Sequence, residues 1–172
     1  MLNAKPVVNR MLCDYKVTIQ TGTCNGASTD APIRMKFYGT HGYTDFSTLT
    51  DSKTHRVPFL KGQSDTFIVQ SDHVGQLVGI AIGHDKKDIR SYLPNMFSNP
   101  TFFFLSEASW FLNDITIEDP IREILYKIPC NSWLSNTSVD QKTMRDFAVT
   151  SMQRLNNTKT PHRNYDYLHI FI

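Results

Sequence analysis

The chain has 172 residues, of which 40% are hydrophobic and 20% charged, as in a folded globular protein and unlike a disordered one. Its net charge of +2 and sequence pI of about 8.4 are too mild for the basic stripe that nucleic-acid binding requires. Three scattered cysteines, Cys13, Cys24 and Cys130, exclude a disulfide framework and a CxxC-type zinc or redox site. The longest apolar run, residues 102–105, is too short to cross a bilayer.

The first predicted elements are two strands joined by an oxygen-rich loop. Apolar residues alternate with polar ones at Tyr15, Val17 and Ile19, and the alternation resumes after residue 33, which is the period of half-buried strands. The loop between them gathers glycines and hydroxyl side chains and leads to Asp30. Strand, oxygen-rich loop and strand form a geometry that suits a hard cation or a lipid headgroup.

Further short strands are predicted as far as residue 134. LVGIAIGHD, residues 77–85, is almost wholly apolar and predicts a central strand buried on both faces. Other apolar or alternating segments lie around residues 57–59, 67–69, 109–119 and 124–129. Strands recurring at this spacing, without a long helical pattern among them, predict an antiparallel β-sandwich.

The segments outside this series have a different character. Residues 1–13 are interpreted as an N-terminal arm, and residues 87–108 as an aromatic insertion. In the tail, residues 136–172, a helix is predicted over 138–155, with Ser138 and Gln141 as a capping box and an apolar stripe of Met144, Phe147 and Met152. The apolar end of the tail predicts that the chain was cut from a longer protein.

Five motifs in order resemble the landmarks of the PLAT domain, also called the lipoxygenase-homology domain. They are YKVTIQTG, NGASTDA, an apolar strand ending in GHD, SWFLNDITIED and IPCNSWL. The resemblance covers residues 14–135 and implies a PLAT-type sandwich of eight strands, followed here by a helical appendage. Ser28 stands where the family's GAGTDA-like turn has a glycine. Within the family, the chain is most similar to polycystin-like membrane proteins. This resemblance implies the cytosolic face of a membrane and a tail, residues 136–172, that leads to a membrane segment.

The resemblance also implies a calcium site in the first loop. Gly26, Thr29 and Asp30 would supply carbonyl and carboxylate oxygens, and Asp85 would add charge from a neighbouring loop. Ca²⁺ takes six to eight oxygen ligands, so one turn alone is a weak site. The alternative is that Asp30 only caps the turn through its own backbone.

Two further groups of residues are predicted to contact a membrane. Tyr43 and Phe46 lie in a polar connection where amphipathic rings can anchor at headgroup level. Lys86, Lys87 and Arg90 form a basic cluster that can meet phosphatidylserine or a phosphoinositide. The alternative for both groups is ordinary solvent exposure.

The predicted function is a non-catalytic module, because the sequence contains neither a GxSxG elbow nor an HExxH motif. Trp110 and Trp133 are predicted to pack in the core. One alternative is a regulatory protein–protein module without lipid binding, which would dock through Phe102, Phe103 and Phe104. Another is the accessory domain of a lipid-acting enzyme.

Overall fold

The computed structural model describes residues 11–84 and 109–155, which fold into two antiparallel β-sheets. The strands are β1 (Leu12–Thr21), β2 (Ile33–Gly39), β3 (Gly42–Tyr43), β4 (Ser47–Thr48), β5 (Ser64–Asp72), β6 (Leu77–His84), β7 (Ser109–Asp119), β8 (Ile124–Ser135), β9 (Met144–Ala148) and β10 (Ser151–Arg154). The predicted all-β antiparallel fold is therefore confirmed. Nowhere in these two ranges is there a helix with the length and apolar character of a membrane span.

The two sheets differ in their strand order. The first sheet runs β10-β8-β7-β1-β5, and the second runs β3-β2-β6-β9 with the short β4 also paired to β2. In the second sheet β6 lies between β2 and β9, with Ile80 and Ile82 fully buried, so the prediction of a central strand is confirmed. A Cβ atom at Gly83 would lie 2.0 Å from the carbonyl oxygen of Thr143, so the glycine lets β9 approach closely.

The core forms where the alternating apolar faces of the sheets meet. The ring centroids of Tyr15 on β1 and Phe37 on β2 lie 4.5 Å apart, so the two rings are in direct contact between the sheets. Trp110 on β7 is fully buried, as predicted, and its Nε1 donates to Thr21 Oγ1 at 3.1 Å. Burying the indole while satisfying its N–H removes the cost of an unpaired polar group.

The helix predicted over residues 138–155 is wrong, because this segment contributes β9 and β10 to the two sheets. Gln141 has a φ of 51°, outside the helical region, and the hydroxyl of Ser138 contacts the Ser135 carbonyl instead of capping a helix. Phe147 packs against the core from β9. Strand pairing with β6 and β8 satisfies the backbone of this segment, and this tertiary gain outweighs a short helical pattern.

Three smaller differences accompany that correction. The described residues form ten strands and not eight, since β3 and β4 are two-residue strands and β9 and β10 replace the helix. Residues 57–59 form bends and not a strand, with Phe59 at a φ of 61°. Trp133 lies outside the core: because Leu134 faces inward opposite Trp110, Trp133 faces outward and packs edge-on against Phe111 at 5.2 Å.

Candidate interaction surface

The predicted calcium residues lie in the first loop, residues 22–31, at one end of the sandwich. Gly26 has a φ of 78°, a conformation that favours glycine and turns the chain. Thr29 is buried, and its Oγ1 accepts the Ala31 N–H at 3.2 Å. Asp30 is exposed beside it. The loop is therefore an ordered turn with one acidic side chain at the rim.

Hydrogen bonds join the first loop to a second loop, residues 52–63, which precedes β5. Two are backbone pairs and two use side chains: Thr29 N to Phe59 O at 3.1 Å, Gly62 N to Gly22 O at 2.9 Å, Lys61 N to Ser28 Oγ at 2.8 Å, and Lys61 Nζ to Asn25 Oδ1 at 2.8 Å. Ser28, which departs from the family's glycine, thus accepts a backbone N–H of the other loop. The two loops form one hydrogen-bonded unit.

Asp65, at the start of β5, holds the second loop from beneath. Its carboxylate is fully buried and accepts the Phe59 N–H at 2.8 Å, and its other oxygen lies 2.9 Å from His55 Nδ1. Ser52 Oγ is a further neighbour at 3.4 Å. A buried carboxylate is tolerated only when donors surround it, so these bonds fix the loop in one conformation.

A groove opens where the two loops meet β4. It has a volume of about 660 Å³ and is lined mainly by residues 28–32, 48–50 and 57–60. Val57 and Leu60 remain 57% and 40% exposed at its edge, whereas Phe59 between them is buried in the core. This groove, called the end groove below, was not predicted, because alternation identifies strands and says nothing of how two loops meet.

A second feature lies beside the end groove, on the outer face of the second sheet. Lys36 Nζ lies 4.8 Å from the ring centroid of Tyr38, 5.2 Å from that of Tyr43 and 5.1 Å from that of Phe46. The guanidinium of Arg34 also lies over the Phe46 ring, at 5.3 Å. These five residues are called the cation–aromatic cluster below. All the distances fall within the range of favourable cation–π contacts.

Within the described ranges, no carboxylate pairs with the Lys36 ammonium, and the three rings are its neighbours. Tyr43 and Phe46, which were predicted as membrane contacts, are 58% and 41% exposed. Sequence alternation places Lys36 on the outer face of β2. Its meeting with Tyr43 and Phe46 depends on the β2–β3 and β2–β4 pairings, which the sequence pattern did not reveal.

Comparison with known proteins identifies the fold. A sequence profile of the PLAT/LH2 domain matches residues 15–147, most of the chain. The chain belongs to the PLAT/LH2 domain family. It is 33% identical over 135 residues to human lipoxygenase homology domain-containing protein 1, covering 78% of this chain and 6% of that protein. It is 27% identical over 141 residues to the mouse polycystin family receptor for egg jelly, covering 81% and 6%.

A solved structure shows the same PLAT architecture. The crystal structure of coral 8R-lipoxygenase, described as activated by calcium through a C2-like domain, superposes with a TM-score of 0.58 and 23% identity. The match covers 81% of this chain and 17% of the lipoxygenase. The chain therefore spans only a small part of each relative's length, and the likeness to the lipoxygenase concerns the fold.

The described part of this PLAT domain is only partly equipped for calcium. Gly26, Thr29 and Asp30 are close together in the first loop, but residues 11–84 and 109–155 contain no group of three His, Cys, Asp or Glu side chains that could hold a metal. One carboxylate with backbone oxygens falls short of the charge of a tight site. Asp85, the other predicted ligand, lies outside the described residues.

Ser52, His55 and Asp65 contain the residue types of a hydrolytic triad but in a different arrangement. In a triad, the serine hydroxyl contacts the imidazole nitrogen that the aspartate does not. Here Ser52 Oγ contacts the Asp65 carboxylate and accepts the backbone N–H of His55 at 3.2 Å. This arrangement supports the loop and does not activate a nucleophile.

The thiols differ in their accessibility. Burial, reinforced by nearby Asp119, raises the pKa of Cys13 from 9.0 to about 12. Burial, with a contribution from Asp114, raises the pKa of Cys130 to about 12 as well. Cys24, in the first loop, is exposed. Cys13 and Cys130 thus have little thiolate character.

The remaining predicted site residues lie outside the described residues. They are the basic cluster Lys86, Lys87 and Arg90, and the aromatic residues Phe102, Phe103 and Phe104. Their predicted roles stay predictions.

Proposed function

We propose that this PLAT domain is a non-catalytic interaction module that binds the surface of anionic membranes and also serves protein partners. The observation that carries the proposal is the cation–aromatic cluster, in which the Lys36 ammonium lies over three rings with no carboxylate partner among the described residues. A cation held among exposed rings is equipped to meet a lipid phosphate while the rings enter the headgroup region.

The energetics favour several weak contacts acting together. Each lysine or arginine near an anionic surface contributes about 1 kcal/mol, so Lys36 and Arg34 alone give marginal affinity. Tyr43 and Phe46 add apolar area at the headgroup boundary because both are substantially exposed before binding. Lys86, Lys87 and Arg90 would add further attraction, as the sequence predicts.

Calcium is proposed to assist this binding through the first loop. Gly26, Thr29 and Asp30 would contribute oxygens, with Asp85 as a second carboxylate and a lipid phosphate completing the ligand set. Two observations support this: the ordered turn that exposes Asp30, and the fold shared with a lipoxygenase described as calcium-activated.

The similarity to a polycystin family receptor supports a place for this domain in a larger membrane protein. We infer that it acts at the cytosolic face of that membrane. There it would bring phosphatidylserine or phosphoinositide headgroups, or a neighbouring protein segment, into contact with the cation–aromatic cluster.

Vesicle sedimentation tests the lipid proposal. Replacing Lys36→Glu reverses one charge at the surface, which costs about 2 kcal/mol and weakens binding to phosphatidylserine vesicles about thirtyfold. Lys127→Glu makes the same charge change at an exposed site on the first sheet and should leave binding nearly unaffected. Equal losses in both variants, or equal wild-type binding to neutral vesicles, would contradict a specific surface. Absence of vesicle binding with and without calcium would favour the protein–protein module.

Isothermal titration calorimetry tests the calcium proposal in the presence of anionic vesicles. Asp30→Asn removes the turn's carboxylate charge and should weaken calcium binding at least about tenfold, since affinity follows the charge count of the ligands. Asp14→Asn, at the opposite end of the first sheet, is the matched control. An unchanged titration in Asp30→Asn would remove the first loop from the calcium site.

A further inference from the structure

The second loop displays aliphatic side chains in an unusual way. Val57 and Leu60 are 57% and 40% exposed, and between them Phe59 is only 4% exposed. The Phe59 ring packs against Phe67 at 5.4 Å and Trp110 at 5.3 Å, inside the core. The loop is therefore anchored by its central aromatic residue, and its two aliphatic neighbours face solvent.

The anchor is held in a strained conformation. Phe59 has a φ of 61°, in the left-handed region that a non-glycine residue rarely adopts. The Asp65 carboxylate accepts its N–H at 2.8 Å, and its carbonyl accepts the Thr29 N–H at 3.1 Å. These bonds offset the strain and fix the loop, so the exposure of Val57 and Leu60 is a property of the folded state.

Positive charge flanks the aliphatic pair on both sides. Arg56 precedes Val57 and is exposed, with no carboxylate partner in the described part of the chain. Lys61 follows Leu60, and its ammonium contacts the neutral side-chain amide of Asn25. No carboxylate of the described residues forms an ion pair with either cation at the rim of the end groove. Aliphatic residues between uncompensated cations complement the layered chemistry of an anionic leaflet.

The end groove also adjoins the surface already proposed for membrane contact. Thr48 pairs with Arg34 of the cation–aromatic cluster and lines the end groove. The two features can therefore meet one surface together.

We propose that Val57 and Leu60 enter the acyl-chain region of an anionic leaflet while Arg56 and Lys61 remain at its phosphates. This inference rests on the proposed function and adds to it a penetrating loop. It also sets a tilted orientation, in which the end that carries the first and second loops and the outer face of the second sheet both approach the lipid.

Site-specific labelling of the full 172-residue chain tests the insertion. In a Cys24→Ser background the buried Cys13 and Cys130 resist labelling, so a Val57→Cys variant takes an environment-sensitive fluorophore at one place. Ile121→Cys is the matched control, because Ile121 is 40% exposed and lies in the turn between β7 and β8, at the opposite end of the sandwich. The probe is a phosphatidylcholine vesicle containing phosphatidylserine, with and without brominated acyl chains.

The expected result is a blue shift and bromine quenching of the label at position 57, and neither at position 121. A Val57→Ser, Leu60→Ser double variant should lose at least about tenfold in vesicle partition, because each aliphatic side chain gains from leaving water. Ile121→Ser should lose nothing. Thermal unfolding of each variant verifies that the exposed substitutions leave the fold intact.

Two results would overturn the inference. Wild-type binding that persists in the double variant, or a bound label at position 57 that bromine does not quench, would mean that the loop stays out of the leaflet. In that case the Lys36→Glu loss would still stand, and the proposed function with it. Failure of the wild-type chain to bind anionic vesicles would remove both proposals together.

Discussion

Each end of the sandwich contains a buried aspartate carboxylate that accepts N–H groups of a loop, but the two loops differ. At one end, the buried Asp65 holds the second loop. At the other, the fully buried Asp119 accepts the N–H groups of Ile121 and Arg122 at 3.0 and 3.1 Å, and its second oxygen lies 3.3 Å from His73 Nε2. A buried carboxylate that accepts hydrogen bonds from loop N–H groups therefore does not by itself indicate a functional site.

The difference lies in the loops that the two carboxylates hold. Asp119 closes the short turn between β7 and β8, and its neighbour Cys13 faces the core. Asp65 fixes a longer loop that is bonded to the first loop and bears a strained Phe59. One end is closed by its carboxylate, and the other is held open as a groove. The side chains that a rigid loop exposes to solvent therefore indicate function better than the buried carboxylate that holds the loop.

The largest expected contrast between the ends is in thiol reactivity. A pKa raised from 9.0 to about 12 lowers the thiolate fraction of Cys13 about a thousandfold at neutral pH. Cys24, at the open end, is exposed. Titration of the native protein with a chromogenic disulfide should therefore modify one thiol quickly and leave two. Rapid modification of Cys13, located by peptide mapping, would show that the Asp119 end opens readily.

Removing the two carboxylates should separate their roles. Asp65→Ala and Asp119→Ala each leave buried N–H groups unpaired, and each should lower the free energy of unfolding by about 3 kcal/mol, measured by urea denaturation. Below the unfolding transition, only Asp65→Ala should also weaken binding to phosphatidylserine vesicles, because it releases the second loop. An equal loss of vesicle binding in Asp119→Ala would end the functional distinction between the ends.

The smallest expected effect concerns the bond between the two loops at the open end. Ser28→Ala removes the acceptor of the Lys61 N–H and should cost about 1 kcal/mol, which corresponds to about fivefold faster hydrogen exchange at that amide. Ser132→Ala, which removes a hydroxyl bonded at 2.8 Å to the Cys130 carbonyl, is the control and should leave the Lys61 amide unchanged. No change in Ser28→Ala would mean that the backbone pairs alone join the loops.

Most of the fold was predictable because strand alternation is local. Tyr15, Val17 and Ile19 are buried as their spacing predicts, and the apolar run of β6 is central. The helical pattern of Met144 and Phe147 was misleading, since two apolar residues three apart fit a helix face as well as opposite faces of a strand. The segment forms strands because the edges of β6 and β8 are available for pairing, and a local sequence pattern does not reveal those distant partners.

The sequence predicted two aromatic residues of the cation–aromatic cluster but not the contacts between its residues. Tyr43 and Phe46 were identified as exposed rings, and the cation they share, Lys36, comes from another strand. The alternation pattern did not predict the burial of Asp65, because an aspartate near the start of a strand looks like a surface residue. Its burial depends on the donors that Phe59 and His55 bring from the folded loop.

The strands after residue 143 determine where an expression fragment of this domain can end. β9 extends one sheet beside β6, and β10 extends the other beside β8, within eleven residues of chain from Met144 to Arg154. An expression fragment that stops at residue 135 would strip one strand from each layer at once. The edges of β6 and β8 would then be unpaired and could pair with strands of other molecules, so the fragment would be prone to aggregate.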